Sequence, residues 1–216
     1  ENLLFMLQGA GVSLALAFGA LVFGMIIGVI MAAAKISKVK IFNWLANIYV
    51  EIFRGTPMLL QIFFFYLAVP VLISQITGAR FRANIYVVAL IALSLNSGAY
   101  QTELIRSGIQ GVDKGQWEAC DTLGLSYWTM MTQVILPQAF KRIIPPLVSE
   151  FITLIKDSSL ASCIGTAELM YNTQVLGARY YNYLLPLCTA GVMYLSMTLV
   201  ISFIARRLER KIAESD

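Results

Sequence analysis

Polar side chains recur at helical spacing along two otherwise apolar stretches of the sequence. One set is Asn96, Tyr100 and Glu103, and the other is Glu150, Thr153 and Asp157. Residues three or four apart lie on one face of a helix, so each set predicts a polar stripe. Because polar groups in a bilayer usually face the interior of a helix bundle, the two stripes predict a path for a polar solute.

The chemistry of these side chains suits a zwitterion. The Glu150 carboxylate could hold an α-ammonium group or a cationic side chain, and Lys156, Asn96 or Ser158 could receive a carboxylate. With a helical rise of ~1.5 Å per residue, Asn96 and Ser97 should lie roughly 18–20 Å below the outer surface. Glu150 should lie roughly 16 Å above the inner surface, so both positions are near the middle of the membrane. The predicted substrate-binding residues are Gln61, Asn96, Ser97, Tyr100, Glu103, Glu150, Lys156, Asp157 and Ser158.

The competing interpretation is that polar groups in the bundle bond only to one another and fix helix packing. This packing interpretation is strongest for Glu103, because Glu103 is predicted to lie close to the cytoplasmic end of its span. Gln61 should lie slightly below the two depths given above. Arg54 and Thr56 stand just before Pro57, and we expect them to anchor the inner end of the second span.

Composition predicts an all-α membrane protein with about five spanning helices. Of 216 residues, 58% are hydrophobic and 13% are charged, against about 25% charged in a soluble domain. A helix needs ~20 mostly apolar residues to cross the hydrocarbon. The predicted spans are 10–34, 53–76, 84–106, 139–156 and 183–206, within one domain over 1–216.

The positions of the basic residues predict the orientation of the chain, because lysine and arginine concentrate on the cytoplasmic side. The segments that follow spans 1, 3 and 5, with the ends of their neighbours, hold Lys35, Lys38, Lys40, Arg54, Arg106, Lys114, Lys141, Arg142, Arg206, Arg207, Arg210 and Lys211. The opposite side holds Arg80, Arg82 and Arg179, and Lys156 is unassigned. The amino terminus is therefore predicted outside and the carboxyl terminus in the cytoplasm. Charges clustered between apolar runs also argue against a nucleic-acid partner.

The sequence predicts no catalytic residue and no metal site. It contains no histidine, and its cysteines (Cys120, Cys163 and Cys188) lack C-x-x-C spacing. No Gly-Lys dipeptide occurs, so the phosphate-binding loop G-x-x-x-x-G-K-[ST] is excluded from this chain. Any nucleotide must be bound by a partner.

The polar stretch between the third and fourth spans predicts a short cytoplasmic helix at 114–125. Asp113 and Gln116 have the spacing of an N-cap and its reciprocal partner. Gly124 can take the left-handed conformation that ends a helix.

This helix is predicted to be amphipathic. Trp117, Cys120 and Leu123 fall on one face, whereas Glu118 and Asp121 point elsewhere. A helix lying on the lipid surface is the alternative. The acidic residues disfavour it, because an anionic leaflet prefers lysine and arginine.

The run GQWEACDTLGLSYWTMMTQVILPQAF resembles the EAA motif of ATP-binding-cassette (ABC) importer permeases, through Glu118-Ala119-Cys120, Gly124 and Leu136-Pro137. Cys120 stands where alanine is usual. Three further stretches are similar to the polar amino acid branch of that family: EIFRGTPMLLQIFFFYLAVP (51–70), LSLNSGAYQTELIRSGIQGV (93–112) and PPLVSEFITLIKDSSLASCIG (145–165). The resemblance extends from about residue 10 to the end of the chain.

The resemblance implies a type I permease in the inner membrane of a bacterial cell. Helix 114–125 would then dock into a cytoplasmic ATPase dimer, which binds ATP and Mg, while this chain binds no cofactor. The predicted coupling residues are Trp117, Glu118, Ala119, Asp121 and Gly124. A second permease chain, identical or related, would complete the path, and segment 157–182 would meet an extracytoplasmic substrate-binding protein.

The function expected from these features is ATP-driven import of a polar L-amino acid. A basic substrate, glutamine, glutamate and cystine all stay open, because one carboxylate can serve the α-amino group that amino acids share. Two rival functions are weighed. A self-contained ion-coupled carrier or channel would use Glu150 and Asp157 as a relay. An intramembrane hydrolase would need a nucleophile with a base, or a metal site, for which the sequence offers no candidate.

Overall fold

Hydrocarbon offers no hydrogen-bond partners, so apolar stretches fold as helices, which satisfy their own backbone groups. A computed structural model describes residues 1–213, without the side chains of 208, 209 and 211–213. The last three residues of the predicted domain, and the side chain of Lys211 in the predicted cytoplasmic set, therefore lie outside the described residues. Every regular element within 1–213 is helical.

Ten α-helices are described within residues 1–213: α1 (Asn2–Ile36), α2 (Lys40–Gly55), α3 (Met58–Phe63), α4 (Val69–Thr77), α5 (Ile85–Gln110), α6 (Lys114–Thr122), α7 (Tyr127–Met130), α8 (Leu136–Asp157), α9 (Leu169–Arg179) and α10 (Leu184–Ala213). The π-helical turns Phe64–Ala68 and Met131–Ile135 join α3 to α4 and α7 to α8. A 3-10 helix, Ser158–Ile164, follows α8.

The prediction of an all-helical membrane protein with about five spans is confirmed. Among the described residues, four helical stretches are long and apolar enough to cross a membrane: Asn2–Ile36, Met58–Thr77, Ile85–Gln110 and Leu184–Arg207. Helix α8 has 22 residues, which is long enough. Helix α8 is not among these four because it is less apolar: it holds five charged residues, Lys141, Arg142, Glu150, Lys156 and Asp157.

Helices α1 and α5 run parallel. Lys35, in the last turn of α1, pairs with Glu103 in the last two turns of α5. Earlier in both helices, Gly19 of α1 faces Leu90 of α5, since a β-carbon at Gly19 would lie 2.9 Å from Leu90 Cδ1. This direction is the one that the predicted topology requires, because the first and third spans of a chain cross in the same sense.

Small residues let α1 and α5 approach closely. Gly24 and Gly28 form a G-x-x-x-G pair on α1, a pattern that allows backbones to come together in membranes. A β-carbon at Gly24 would lie 2.7 Å from Gln101 Nε2, and one at Gly28 would lie 2.9 Å from Gln101 Cβ. The absence of a side chain at both positions therefore seats Gln101 against α1.

The helix is interrupted within the predicted second span: α2 ends at Gly55 and α3 begins at Met58. Thr56 is extended (φ −117°, ψ 148°) because the following Pro57 disfavours helical geometry before it. The end of α2 lies beside the middle of α5, since Tyr49 donates to the Leu95 carbonyl at 2.6 Å and Asn96 to the Phe53 carbonyl at 3.0 Å. Thr56 and Arg54 directly precede the apolar stretch Met58–Thr77, and their anchoring role stays a prediction.

A buried carboxylate ties three helices together at the outer end of the bundle. Glu168 has no exposed surface and caps α9 by accepting from the backbone N–H groups of Met170 and Tyr171 at 2.9 and 2.7 Å. It also accepts from the hydroxyls of Ser13 on α1 and Tyr194 on α10, at 3.1 and 2.8 Å. Burial raises the pKa of the Glu168 carboxyl above its ordinary value, while these hydrogen bonds act to lower it.

Glu168→Leu should lower the free energy of unfolding on the order of 3 kcal/mol, because it leaves several buried donors without acceptors. Thermal unfolding of the purified protein in detergent measures the effect as a lower midpoint. The matched control is Glu51→Leu, at an exposed position on α2, which should leave the midpoint nearly unchanged. Equal midpoints for the two variants would contradict the role assigned to Glu168.

Candidate substrate path and coupling surface

Ser97 and Glu150 connect the two helices that carry the predicted stripes. The Ser97 hydroxyl on α5 donates to Glu150 Oε1 on α8 at 2.8 Å. Ser97 is fully buried and Glu150 is partly buried. Glu150 Oε2 has no hydrogen-bond partner within residues 1–213. This arrangement leaves one carboxylate oxygen to accept a bond from a solute, and an ammonium group would form the strongest such bond.

The side chains of Gln61 and Asn96 are hydrogen-bonded to each other. The sequence predicts Gln61 slightly below Asn96, whereas this bond places the two side chains at one depth. Asn96 Nδ2 donates to Gln61 Oε1 at 3.0 Å and to the Phe53 carbonyl at 3.0 Å. Gln61 Nε2 donates to the Phe53 carbonyl and to both oxygens of Thr56. Both amides are buried. They satisfy the broken backbone between α2 and α3, so the packing interpretation accounts for these two residues.

Glu103 is held in an ion-pair cluster. One of its carboxylate oxygens meets Lys35, and the other accepts from Arg106 Nη2 and Nε at 2.7 and 3.0 Å. Two cations already neutralise this carboxylate. These ion pairs attach α1 to α5, and the place of Glu103 among the substrate-binding residues stays a prediction.

Tyr100 is the exposed member of its stripe. Its side chain is 39% exposed, and the Arg54 guanidinium lies 5.3 Å from the centre of its ring. This distance is that of a cation–π contact. Arg54 therefore lies beside the third span, and it brings a positive charge next to the predicted path.

The end of α8 separates three predicted residues. Lys156 is exposed and Asp157 is partly buried. Ser158 is fully buried, and its hydroxyl donates to the Ile155 carbonyl at 2.7 Å. The proton of Ser158 is thus committed to its own backbone, which corrects its predicted role as a carboxylate donor. Lys156, six residues beyond Glu150, is still able to receive a carboxylate.

Helix α6 lies in the polar stretch between α5 and α8. Asp113 caps it by accepting from the Gly115 N–H at 2.7 Å. The expected reciprocal bond from Gln116 does not form, because that side chain instead accepts from Gln138 Nε2 at 3.1 Å. Gly124 has φ +65°, the left-handed conformation that its type allows without strain.

One face of α6, together with the turn after it, is exposed. Its members are Glu118, Ala119, Asp121, Leu123 and Gly124. Leu123 was expected on the buried face with Trp117 and Cys120, yet it is 75% exposed. The helix ends before Leu123, so the helical spacing no longer applies there. An exposed leucine beside acidic groups fits a protein-docking surface.

The opposite face of α6 packs against α8 and the π-helical turn before α8. Cys120 is buried and packs in one cluster with Ile135 and Ala139. The bond between Gln116 and Gln138 adds a polar link to α8. Helix α6 is therefore joined to α8, the helix that carries the carboxylate of the candidate path.

Sequence reasoning missed two polar residues at this site. Lys35 was counted only for topology, and Gln101 was not considered. A signal for Gln101 was present, since it follows Ser97 by four residues and so shares its helix face. The pairing of Lys35 with Glu103 joins distant segments, and no local spacing predicts it.

Comparison with known proteins agrees with this geometry. Residues 24–214 match the family described as binding-protein-dependent transport system inner membrane component. The arginine transport system permease protein ArtQ of Bacillus subtilis is 41% identical over 212 residues, which cover 98% of this chain and 94% of that protein. The L-cystine transport system permease protein TcyB of the same organism is 43% identical, over 89% of this chain and 82% of that protein.

A putative glutamine transport system permease protein GlnP of Rickettsia bellii is 41% identical over 99% of this chain and 95% of its own length. Among solved structures, an amino acid ABC transporter superposes with a TM-score of 0.89 at 35% identity, over 96% of this chain and 94% of that one. The MetNI methionine ABC transporter shares the fold alone, with a TM-score of 0.77 at 19% identity over 96% of both chains.

The chain belongs to the family of binding-protein-dependent transport system inner membrane components. It is a transmembrane, multi-pass permease subunit of a bacterial ABC transporter, and ATPase subunits are its partners. The predicted resemblance to the polar amino acid branch is confirmed, as are the membrane location and the absence of an enzymatic role. Family membership disagrees with both the self-contained carrier and the hydrolase.

Proposed function

We propose that this chain carries a polar L-amino acid into the cytoplasm along a path between α5 and α8. The observation that carries this proposal is the Glu150 carboxylate, held by Ser97 through one oxygen, while the other oxygen has no partner in the part of the chain that the structure describes. Relatives that transport arginine, glutamine and cystine support an amino acid as the solute. Those substrates share an α-ammonium and an α-carboxylate group.

The binding groups are assigned from the contacts above. Glu150 accepts from the ammonium group or from a cationic side chain. Lys156 receives the α-carboxylate, and Asp157 and Tyr100 border the path. Gln61, Asn96, Glu103 and Ser158 support the path as packing groups. We retain the predicted spans (10–34, 53–76, 84–106, 139–156 and 183–206) and the coupling helix at 114–125 as part of this proposal.

Helix α6 couples ATP hydrolysis by the partner ATPase to transport. Its exposed surface docks on a dimeric ATPase, which binds ATP and Mg, through Glu118, Ala119, Asp121 and Gly124. Trp117 is half-buried and braces this surface from behind. When the ATPase closes on ATP, α6 moves, α8 follows through their shared cluster, and the path changes from inward-facing to outward-facing.

Two further partners complete the assembly. The faces of α4 and α10 expose many large apolar side chains, among them Val71, Leu195 and Leu199, and a second permease chain, identical or related, covers part of them. On the outer side, Tyr181 is 96% exposed in the segment beyond α9. That segment meets the substrate-binding protein.

Substrate-stimulated ATP hydrolysis tests this function. The complex of permease, ATPase and binding protein is placed in lipid nanodiscs, and hydrolysis is measured with each standard amino acid and cystine. One amino acid, or one chemical group of them, should raise the rate above the basal level. No stimulation by any of them would contradict the proposal.

A further inference from the structure

A chain of hydrogen bonds runs from α1 through α5 to α8. Gln101 Nε2 donates to the Leu21 carbonyl of α1 at 3.1 Å and to Ser97 Oγ at 2.9 Å. Ser97 in turn donates to Glu150 Oε1 at 2.8 Å. Gln101 and Ser97 are both fully buried, so neither exchanges these bonds for bonds to solvent.

The direction of this chain follows from the single proton of a hydroxyl. On the same helix, the Ser94 and Thr102 hydroxyls donate to carbonyls four residues earlier, at 2.6 and 2.7 Å. This is the ordinary bond of a hydroxyl in a helix interior. Ser97 does not follow this pattern. Gln101, one turn later on α5, donates to the Ser97 oxygen. Ser97 in turn donates its proton to Glu150 and not to the backbone carbonyl four residues earlier.

Packing alone does not account for an amide at position 101. Gln101 Oε1 is buried without a hydrogen-bond partner among the described residues, which is unfavourable for a polar atom. An apolar side chain of equal length would fill the space without that orphaned oxygen. Gly24 and Gly28 have no side chain, so α1 lies directly against Gln101 and confines its amide where it reaches Ser97.

We infer that Gln101 is a positioning residue for Glu150, the proposed partner of the substrate ammonium group. By holding Ser97 as a donor, it fixes Glu150 Oε1 and directs Oε2 toward the path, where the substrate ammonium binds. This inference rests on the binding role proposed for Glu150. Gln101 itself does not touch the substrate.

Gln101→Met tests the inference, because methionine has similar length and no amide. In nanodisc complexes, the KM of substrate-stimulated hydrolysis should rise about five- to tenfold, the effect of losing one hydrogen bond near a charge. The kcat should stay within about twofold of wild type. The matched control is Thr102→Val, equally buried on the same helix but bonded only to its own backbone, and its KM should not change.

A double-mutant cycle separates positioning from packing. If Gln101 acts through Ser97, then Gln101→Met should raise KM no further, within about twofold, once Ser97→Ala is present. Additive effects, or an equal rise in KM for Thr102→Val, would overturn the inference. Gln101→Asn, whose amide is one methylene shorter, serves the same test if the methionine variant does not assemble.

Glu150→Gln distinguishes failure of this inference from failure of the proposed function. If Glu150→Gln raises KM and Gln101→Met does not, the positioning role is wrong and the binding role of Glu150 stands. If Glu150→Gln leaves KM unchanged, the binding role is wrong and the positioning role is overturned with it.

Discussion

Gly124→Asp is expected to reduce amino acid uptake at least tenfold while the complex continues to hydrolyse ATP. The substitution places a residue with a β-carbon in the left-handed conformation, which costs roughly 1–2 kcal/mol of folding free energy. A β-carbon there meets no atom within 4 Å, so the rest of the chain is undisturbed. The new carboxylate instead projects from the exposed surface that is proposed to dock on the ATPase. Uptake per ATP hydrolysed, measured in proteoliposomes, reports the loss.

Gly78→Asp is the matched control for this prediction. Gly78 also has a left-handed conformation (φ +71°) and open space around its β position, but it follows α4 on the predicted outer side. Both variants bear the same strain and the same charge, yet only Gly124→Asp should uncouple. Glu118→Lys, which reverses an exposed charge on α6, should uncouple as well. Normal uptake per ATP in Gly124→Asp and Glu118→Lys would contradict the assigned coupling surface.

Glu150→Gln is expected to raise the substrate concentration for half-maximal stimulation of hydrolysis by about 10- to 100-fold, since a hydrogen bond to a charged group is worth about 1.5–3 kcal/mol. The substrate pattern adds information. If cationic amino acids alone lose their effect, Glu150 binds the side chain. If every substrate weakens alike, it binds the shared ammonium group.

Glu103→Gln controls for the removal of a carboxylate from the same bundle. Glu103 is paired with Lys35 and Arg106, so its replacement should leave the substrate concentration at half stimulation within about twofold of wild type. The comparison also tests the proposed assignment of Glu103 as a packing group. A large shift in Glu103→Gln together with an unchanged Glu150→Gln would reverse the assignment of the two residues.

The features that the sequence predicts well are those set by local spacing. Uncharged runs of sufficient length gave the spans, and Asp113 and Gly124 marked the limits of α6 because a cap and a left-handed turn depend on neighbouring backbone. The helix α2 was not predicted because Lys40, Glu51 and Arg54 break the apolar run along the sequence, although they gather on one face of the helix. A search for uncharged runs finds spans and misses an amphipathic helix of this kind.

Spacing alone did not separate the roles within a stripe. Asn96, Tyr100 and Glu103 do share a helix, but each meets a different partner: a glutamine amide, a guanidinium and a pair of cations. Those partners come from segments between 35 and 68 residues away in sequence or from an adjacent turn. Helical periodicity gives the direction of a side chain and not the group that stands opposite.

ATP-driven uptake tests the central claim most directly. Proteoliposomes containing the complete complex are loaded with ATP, and accumulation of the amino acid that stimulates hydrolysis is followed with and without a hydrolysis-deficient partner ATPase. The account predicts accumulation above the external concentration with ATP and the active ATPase, and none when hydrolysis is blocked. Equal uptake without hydrolysis, driven by an ion gradient, would contradict it and show that this chain transports by itself.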